Sequence, residues 1–311
     1  MDFKHKPVLL SETIEGLNIK ENGIYVDCTV GGGGHSLEIV KRLGPNGRLV
    51  AIDQDEDALL EAQKVLADYK DQVSFVKSNY AYLDSLLDSL NIEKVDGVLM
   101  DIGVSSYQLD EGDRGFSYNQ DAELDMRMDQ SAELTAKYVV NNYSKEELEL
   151  IFWNYGEEKW GRRIAEFIVE AREEKEIETT FELVEIIKKA IPKKIRMQGK
   201  HPAKRVFQAL RIEVNKELDV LESTLRVAID RLNTGGRLAV ITFHSIEDRI
   251  VKTRFQEHAK GCTCPPDFPV CVCGKHKEIK IITRKPITAS LEELDDNRRS
   301  KPAKLRICEK L

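Results

Sequence analysis

Short runs of apolar and β-branched residues recur at nearly even spacing along the first third of the chain. They fall at residues 24–29, 49–53, 73–76 and 95–101. The segments between these runs have the spacing of one helix face, as in Ala58, Leu59, Ala62, Val65 and Leu66. Strands that alternate with helices are typical of a parallel sheet with helices on both faces. The pattern therefore predicts a doubly wound α/β domain.

The alternation stops after residue 101, and the next strand pattern comes only at residues 237–243. Gly235 and Gly236, directly before it, predict a turn. The stretch between has mostly helical spacing, for example in Ile164, Phe167, Ile168 and Ala171. Near the end of the chain, residues 279–283 and 304–308 are strand candidates that could complete the sheet. We therefore predict a discontinuous α/β domain, residues 1–112 and 202–311, with a helical insertion at residues 113–201.

Composition narrows the class of protein. Hydrophobic residues make up 41% of the chain and charged residues 32%, a balance typical of a globular protein. The apolar run at residues 238–243 is far shorter than the ~18 residues of a membrane-spanning helix, and the N-terminus lacks the apolar centre of a signal peptide. We expect a cytoplasmic protein without a membrane partner.

A glycine-rich loop, DCTVGGGGHS at residues 27–36, follows the first strand. Glycines at a strand-to-helix turn let the backbone approach a nucleotide-like ligand closely. The loop lacks the Gly-Lys-Ser/Thr ending of a P-loop, which disfavours NTPase chemistry. Ser36 stands at the third glycine position of the dinucleotide fingerprint, which weakens a dehydrogenase interpretation.

Two acidic residues favour an adenosine-containing cation as the ligand. Asp53 ends the second strand, where a carboxylate can accept hydrogen bonds from ribose hydroxyls. Asp27 would repel a pyrophosphate but attract a sulfonium or ammonium group. S-adenosylmethionine therefore fits better than NAD. Tyr80 and Asp101 follow the third and fourth strands, at the sheet edge where ligands of open α/β sheets bind.

The net charge of −7 argues against nucleic acid as a partner, but charge is unevenly distributed. Residues 188–216 contain ten Lys/Arg and one acidic residue, Glu213. This basic segment could contact phosphates, although charged runs often form only a solvated face. The candidate contacts are Lys193, Lys194, Arg196, Lys200, Lys204, Arg205 and Arg211.

Four of the six cysteines cluster in one segment, as the pairs Cys262, Cys264 and Cys271, Cys273. Four thiolates could bind zinc, but the usual C-x₂-C spacing is not met. The sequence does not decide between a structural metal, reduced thiols and a disulfide in a surface loop. We assign no metal ligands from the sequence.

Long motifs in order along nearly the whole chain resemble the ribosomal RNA small subunit methyltransferase H family, also called RsmH or MraW. They are HKPVLL at 5–10, the glycine loop at 27–36, DIGVSSYQLD at 101–110, RGFS at 114–117, LDMRMD at 124–129, HPA at 201–203 continuing to Asn215, and FHSIEDR at 243–249. The resemblance implies a Rossmann-like class I S-adenosylmethionine methyltransferase sheet with an inserted helical domain that recognises RNA.

The resemblance also implies a reaction: methyl transfer from S-adenosylmethionine to the exocyclic N4 of cytosine 1402 in 16S ribosomal RNA. The substrate would be the 30S subunit or a late assembly intermediate, and not DNA. The cofactor-binding residues implied are Gly33, Gly34, His35, Asp53, Tyr80, Asp101 and Gln108. Bacterial relatives often carry Phe where Tyr80 stands, and either ring could stack on adenine.

The same motifs supply candidates for the base pocket, because their side chains suit the Watson–Crick edge of cytosine. The candidate catalytic residues are Asp101, Ser105, Ser106, Asp110 and His244. Helix capping by the serines is an open alternative, as is a core role for His244. Arg114 and Phe116 could clamp the substrate or only stabilise a loop. A DNA or protein methyltransferase and an RNA-binding protein without catalysis are the competing functions. The missing Pro-Pro motif of amino-methyltransferases argues against DNA.

Overall fold

The computed structural model describes residues 7–105, 112–197, 201–262, 264, 268, 270 and 272–311. The chain folds into two compact units, Met1–Gly103 with Asp219–Leu311, and Val104–Leu218. The first unit contains the sheet and the second is helical. Each unit has its own hydrophobic core.

The first unit is built on a seven-stranded sheet in the order β3-β2-β1-β4-β5-β7-β6. Strands β1 to β5 run parallel, and β7 pairs antiparallel with both β5 and β6. The strands are β1 Ile24–Asp27, β2 Arg48–Asp53, β3 Val73–Lys77, β4 Val95–Asp101, β5 Leu232–Thr242, β6 Ile279–Ile281 and β7 Lys304–Lys310. The predicted α/β class and its interrupted sheet are confirmed.

Seven helices of the described residues accompany this sheet. They are α1 Leu10–Leu17, α2 Gly34–Val40, α3 Glu56–Val65, α4 Leu83–Ser89, α11 Glu217–Arg231, α12 Ser245–Ala259 and α13 Leu291–Asp296. Successive side chains of a strand point to opposite faces of a sheet. Accordingly, Val98 and Met100 of β4 join one apolar core, whereas Leu99 joins the other. Burial on both faces explains the continuous apolar runs in the sequence.

Gly235 and Gly236 lie within β5 rather than in a separate turn. The ladder between β4 and β5 shifts register there, because Val95 pairs with Leu232 but Gly97 pairs with Arg237. Gly235 has φ +77°, a left-handed conformation that favours glycine. The predicted break is therefore an irregularity inside a longer strand.

The second unit contains α5 Ala136–Asn142, α6 Lys145–Asn154, α7 Gly161–Glu174, α8 Thr180–Ala190, α9 Lys193–Arg196 and α10 Lys204–Asn215. Its core includes the predicted helix face of Ile164 and Ile168. Ser144 and Thr179 begin α6 and α8 with capping boxes, each pairing with a glutamate three residues later.

The boundary between the two compact units differs from the predicted domain boundary. The prediction assigned residues 202–218 to the α/β domain, whereas in the structure they belong to the helical unit. The reason is the apolar face of α10, whose Val206, Phe207 and Leu210 are buried in the helical core. Among the described residues, no helix combines the length and apolarity needed to cross a membrane.

Candidate active site

The glycine loop is tied to the carboxyl ends of β2 and β4, the two strands that flank β1. Val30 N–H donates to Ile52 O at 2.9 Å, and Cys28 N–H donates to Leu99 O at 2.9 Å. The Thr29 hydroxyl accepts a hydrogen bond from Asp101 N–H at 2.7 Å. The loop is thus fixed at the sheet edge where the sequence predicted a ligand site. Thr29 was not among the predicted site residues.

Asp27 supports the loop from beneath instead of facing a ligand. It is buried, and its carboxylate accepts hydrogen bonds from Ser36 Oγ at 2.7 Å and from Thr29 N–H at 3.1 Å. Burial raises the pKa of Asp27 to about 6. The predicted direct attraction for a sulfonium is therefore limited to the long-range field of this carboxyl group.

Asp53 ends β2 and connects that strand to the glycine loop. Its Oδ2 accepts a hydrogen bond from Gly31 N–H at 2.9 Å, and its Oδ1 accepts one from Asp55 N–H at 3.0 Å. Burial raises the pKa of Asp53 to about 6, partly offset by these backbone donors. Each carboxylate oxygen has a second lone pair, which leaves acceptor capacity for hydroxyl groups.

The four glycines have different surroundings. A Cβ on Gly33 would lie 3.2 Å from Ala62 Cα, and one on Gly34 would lie 2.3 Å from Pro7 Cγ. Both glycines thus permit close packing within the protein. In contrast, a Cβ on Gly32 would meet no protein atom within 4 Å, and one on Gly31 would meet only Thr29 O, at 3.9 Å. The open side of the loop lies over Gly31 and Gly32, which the prediction did not include.

Asp101 and His35 lie side by side at the end of β4. His35 is buried, with Nε2 3.0 Å from Val8 O and Nδ1 3.7 Å from Asp101 Oδ2. The Asp101 side chain is 24% exposed, yet its Oδ1 is buried and has no hydrogen-bond partner in the protein. Burial, with the charges of Asp27 and Glu247, raises the pKa of Asp101 to about 8. A buried acceptor without a partner is costly, so this oxygen is suited to a ligand.

His244 follows β5 and begins α12. Its Nδ1 accepts a hydrogen bond from Glu247 N–H at 3.4 Å, while its Nε2 lies 2.9 Å from Glu247 Oε1. Glu247 is fully buried, and its Oε2 accepts from the N–H groups of Phe243 and His244 at 2.7 and 3.1 Å. His244 is thus a helix cap held by a buried carboxylate. The spacing of His244 and Glu247, a capping box after a strand, could have indicated Glu247.

Tyr80 begins a short 3₁₀ helix, Tyr80–Tyr82, just after β3. Its ring packs against the core of the sheet unit while staying partly exposed. Thr224 Oγ1 donates to Tyr80 O at 3.2 Å, and Asn79 Nδ2 donates to Gln54 Oε1 at 2.8 Å. The second bond joins the segments that follow β2 and β3, so Tyr80 lies near the edge that Asp53 occupies.

The remaining predicted site residues either lie outside the described residues or belong to the helical unit. Ser106, Gln108 and Asp110 lie outside the described residues, and Ser105 belongs to the helical unit. Arg114 is buried, and its Nη2 donates to Arg127 O at 2.8 Å and to Met128 O at 3.1 Å. Its guanidinium lies 5.9 Å from the ring centroid of Phe116, which is also buried. Of the two alternatives, the structure favours a loop-stabilising role for this pair.

The basic segment is only partly available for phosphates. Arg211 makes a bidentate ion pair with buried Glu217, at 2.7 and 2.9 Å, so this predicted phosphate contact already has a partner inside the protein. Arg205 Nη1 donates to Glu157 O at 2.7 Å. Lys193 and Lys194 are exposed on α9, and Lys204 is exposed on α10. Lys200 of this segment lies outside the described residues, as does Cys271 of the cysteine cluster.

A groove of about 300 Å³ lies in the helical unit beside α9. It is lined by Lys188, Lys193, Arg196, Met197, His201 and Pro202. The His201 ring stacks on Tyr118 with centroids 4.5 Å apart and planes 8° apart. Burial and the charge of Lys188 lower the pKa of His201. The groove therefore combines cationic side chains with a fixed aromatic surface.

Comparison with known proteins identifies the family. The model of the MraW methylase family matches residues 2–311. A Finegoldia magna protein named ribosomal RNA small subunit methyltransferase H is 61% identical over 312 residues, covering all of both chains. This chain belongs to the MraW methylase family.

Two further comparisons accompany this identification. A Lachnospira eligens protein named ribosomal RNA small subunit methyltransferase H is 60% identical to this methylase over 311 residues, covering all of this chain and 99% of that protein. A crystal structure of a Clostridium thermocellum protein has a TM-score of 0.47 at 14% identity, covering 99% of this chain and all of that one.

The methyl donor that this methylase's site fits is S-adenosylmethionine. Asp53 offers carboxylate lone pairs to a ribose, and the buried Oδ1 of Asp101 offers an acceptor for an ammonium group. The open space over Gly31 and Gly32 admits a ligand close to the backbone. The donor set matches an adenosine with a cationic amino-acid tail, so the residues present fit this cofactor.

Proposed function

We propose that this methylase transfers a methyl group from S-adenosylmethionine to the exocyclic N4 of cytosine 1402 in 16S ribosomal RNA, in the cytoplasm. The Finegoldia magna relative, 61% identical along its whole length, carries the name of a small subunit ribosomal RNA methyltransferase. The observation that carries the chemical part is Asp101, whose buried Oδ1 has no protein partner at the end of β4.

The cofactor roles follow from the acceptors at the sheet edge. Asp53 binds the ribose hydroxyls while its bond to Gly31 N–H keeps the loop closed beneath the ligand. Asp101 accepts from the ammonium group, and His35 positions Asp101 from a distance of 3.7 Å. Tyr80 stacks on the adenine. Gly33 and Gly34 act indirectly, since their close packing against Ala62 and Pro7 sets the course of the loop.

Bound S-adenosylmethionine supplies an electrophilic methyl group on a sulfonium. The cytosine amine is a weak nucleophile because its lone pair is delocalised into the ring. Acceptors for the amine hydrogens oppose that delocalisation, and the backbone carbonyls of Ile102 and Gly103 follow Asp101 at the same edge. His244, whose Nδ1 accepts a hydrogen bond from Glu247 N–H, offers a positioned imidazole as a further contact. No general base is required, since the methylated amine releases its proton readily to water.

Positioning supplies most of the rate in this proposal. Alignment of the amine with the methyl group and the departing sulfur contributes up to about 7–11 kcal/mol in favourable cases. The network from Asp27 to Ser36, and from Asp101 N–H to Thr29, makes the loop rigid before ligand binds. A rigid site of this kind loses less entropy during the reaction.

RNA binding is assigned to the helical unit. The groove lined by Lys188, Lys193, Arg196 and His201 would contact phosphates, and the stacked rings of Tyr118 and His201 offer a surface for an unstacked base. A target cytosine must leave its stack to reach a buried methyl donor. The basic groove thus supplies electrostatic binding inside a chain whose net charge is −7.

Methyl transfer to defined substrates tests the proposal. Labelled S-adenosylmethionine is incubated with 30S subunits lacking the modification, with naked 16S RNA and with DNA, followed by nucleoside analysis. We expect N4-methylcytidine from the ribosomal substrate, none from DNA, and loss of product with Asp101→Ala. Label in protein or DNA, or no label despite measurable cofactor binding, would overturn the assignment.

A further inference from the structure

A cluster of thiols lies outside the methylation site, in the segment that connects α12 to β6. The Sγ atoms of Cys262, Cys264 and Cys273 lie within 4.8 Å of one another. No disulfide bond joins the cysteines that the structure describes. We propose that these three cysteines bind a Zn²⁺ ion that holds the connecting segment in its fold. The sequence had left a metal, reduced thiols and a disulfide open.

The sulfur separations suit a tetrahedral metal better than a disulfide. Cys262 Sγ and Cys273 Sγ lie 3.6 Å apart. A tetrahedral site with Zn–S bonds of about 2.3 Å has sulfur–sulfur edges of about 3.8 Å. A disulfide requires a separation of about 2.05 Å. Thiolate ligands select zinc or iron–sulfur centres among the common metals, and zinc needs no further inorganic component.

Backbone N–H groups point at the sulfurs. Cys264 N–H donates to Cys262 Sγ at 3.4 Å, and Val272 N–H donates to Cys264 Sγ at 3.4 Å. Hydrogen bonds of this kind orient metal-binding side chains and stabilise the charge on a thiolate. The second bond also joins the two halves of the cluster, since its donor and acceptor belong to different C-x-C pairs. The backbone is thus arranged for thiolates.

The unusual C-x-C spacing is compatible with this geometry. In an extended segment, residues i and i+2 point to the same side, so Cys262 and Cys264 can face one ion. The chain turns directly after Cys273, where Gly274 has φ +62°. A non-glycine residue would be strained in that conformation. The described residues supply three ligands, and the fourth position of a tetrahedral site is open to another side chain or to solvent.

The connecting segment is joined at its ends, while its described apolar residues are exposed. Its two ends are joined by Glu278 N–H, which donates to His258 O at 3.0 Å, and by His258 Nδ1, 2.8 Å from Glu278 Oε2. Between them, Phe268, Val270 and Val272 are 51%, 69% and 73% exposed. A segment whose described apolar residues are this exposed gains stability from a metal or a cross-link.

Binding requires three deprotonations, because the thiolate is the form that coordinates the metal. Each thiol proton goes to solvent, and three sulfurs with Zn²⁺ then carry a net charge of −1. Lys275 and Lys277 follow the cluster in the sequence and are exposed. Their charge favours the anionic site. No electrons are transferred, so the proposal requires no oxidant or reductant.

Metal content of the untagged full-length chain tests the proposal. We expect about one zinc per chain by mass spectrometry after dialysis, falling below about a tenth in Cys264→Ser and Cys273→Ser, because each variant removes a ligand from the site. Val270→Ser is the matched control, since Val270 lies between the two cysteine pairs and is exposed, and it should retain zinc. Cobalt in place of zinc should give a thiolate charge-transfer band in wild type and not in Cys273→Ser.

A measurement on the wild-type chain avoids any dependence on variant folding. Thiol alkylation followed by peptide mapping should find Cys262, Cys264 and Cys273 protected until a chelator is added. Three outcomes would overturn the proposal: wild type without zinc and with reactive thiols, iron with visible absorption in place of zinc, or a disulfide among these cysteines. Equal zinc content in wild type and both cysteine variants would also contradict it.

Discussion

The Asp53 carboxylate and the Gly31 backbone amide are hydrogen-bonded at 2.9 Å. This bond joins the end of β2 to the glycine loop that follows β1. One carboxylate thus shapes the loop. In the proposed function the same carboxylate also presents acceptors to a ribose, which would make this residue matter both to the fold of the site and to cofactor binding.

Substitution of Asp53 should weaken cofactor binding more than folding. Hydrogen bonds to a charged group contribute about 1.5–3 kcal/mol, so Asp53→Asn should raise the Kd for S-adenosylmethionine about 10- to 100-fold. Calorimetric titration measures this change. Asp68→Asn, an exposed acid after α3, is the control and should leave Kd unaltered. Unchanged affinity in Asp53→Asn would remove the ribose role.

The glycine loop offers a pair of adjacent substitutions with opposite outcomes. Gly33→Ala should lower the free energy of unfolding by about 1–3 kcal/mol, because φ is +78° and the new Cβ lies 3.2 Å from Ala62 Cα. Gly32→Ala meets no protein atom within 4 Å, so it should keep stability but weaken cofactor binding. Denaturant unfolding and calorimetric titration separate the two effects. Tight binding by Gly32→Ala would show that the ligand does not lie over Gly32.

The raised pKa of Asp101 predicts a pH-dependent affinity. Asp101 has a pKa of about 8 and faces Asp27, Glu247 and His35, so below pH 8 it is largely protonated without ligand. If the carboxylate accepts from the ammonium group, affinity should rise with pH by up to about tenfold per unit below pH 8. Asp101→Asn should flatten this profile. A slope that persists in Asp101→Asn would assign the titration to another group.

The same pKa shift should make the ligand-free protein less stable as pH rises, whereas it makes cofactor affinity rise with pH. A carboxyl group whose pKa rises from 3.8 to about 8 on folding keeps its proton in the folded state. Its contribution to the free energy of unfolding is fully present below pH 3.8 and is lost as pH rises through about 8. Between pH 6 and 8 the decrease in Tm should therefore be smaller in Asp101→Asn than in wild type. Calorimetric scans over this range measure the difference, and equal decreases would contradict the burial argument.

The basic segment should separate into structural and RNA-binding residues. Lys193→Ala should weaken RNA binding by a similar factor for every RNA sequence, because one phosphate contact is lost. The slope of the logarithm of the binding constant against the logarithm of salt concentration should decrease in magnitude by about one. Arg211→Ala should instead lower stability by about 3–5 kcal/mol, since it leaves Glu217 buried without its ion pair. Filter binding across salt concentrations and denaturant unfolding measure these effects. Equal salt slopes in wild type and Lys193→Ala would remove this contact.

The sheet could be predicted from the sequence because buried parallel strands are continuous apolar runs between helical segments. The predicted run at residues 95–101 agrees fully with β4. Roles that depend on side-chain partners could not be read in this way. Arg211 and Lys193 look alike in the sequence, but only Arg211 has Glu217 at 2.7 Å. Gly32 and Gly33 likewise differ only in what surrounds them.

The domain cut illustrates a further limit. Helix α10 carries the basic residues Lys204 and Arg205 on its exposed side and an apolar face on the other. The apolar spacing predicts a helix but does not tell which of two cores will bury it. The prediction placed the boundary at residue 202, whereas packing of Phe207 and Leu210 assigns the helix to the helical unit.

The position and identity of the methylated nucleoside are the direct readout of the proposed reaction. Wild-type protein is incubated with 30S subunits lacking the modification, and fragments of 16S RNA are analysed by mass spectrometry. We predict one added methyl group, on N4 of cytosine 1402, that is absent with Asp101→Ala. A methyl group at another position or on another atom, or one that Asp101→Ala still transfers at the wild-type rate, would contradict the account.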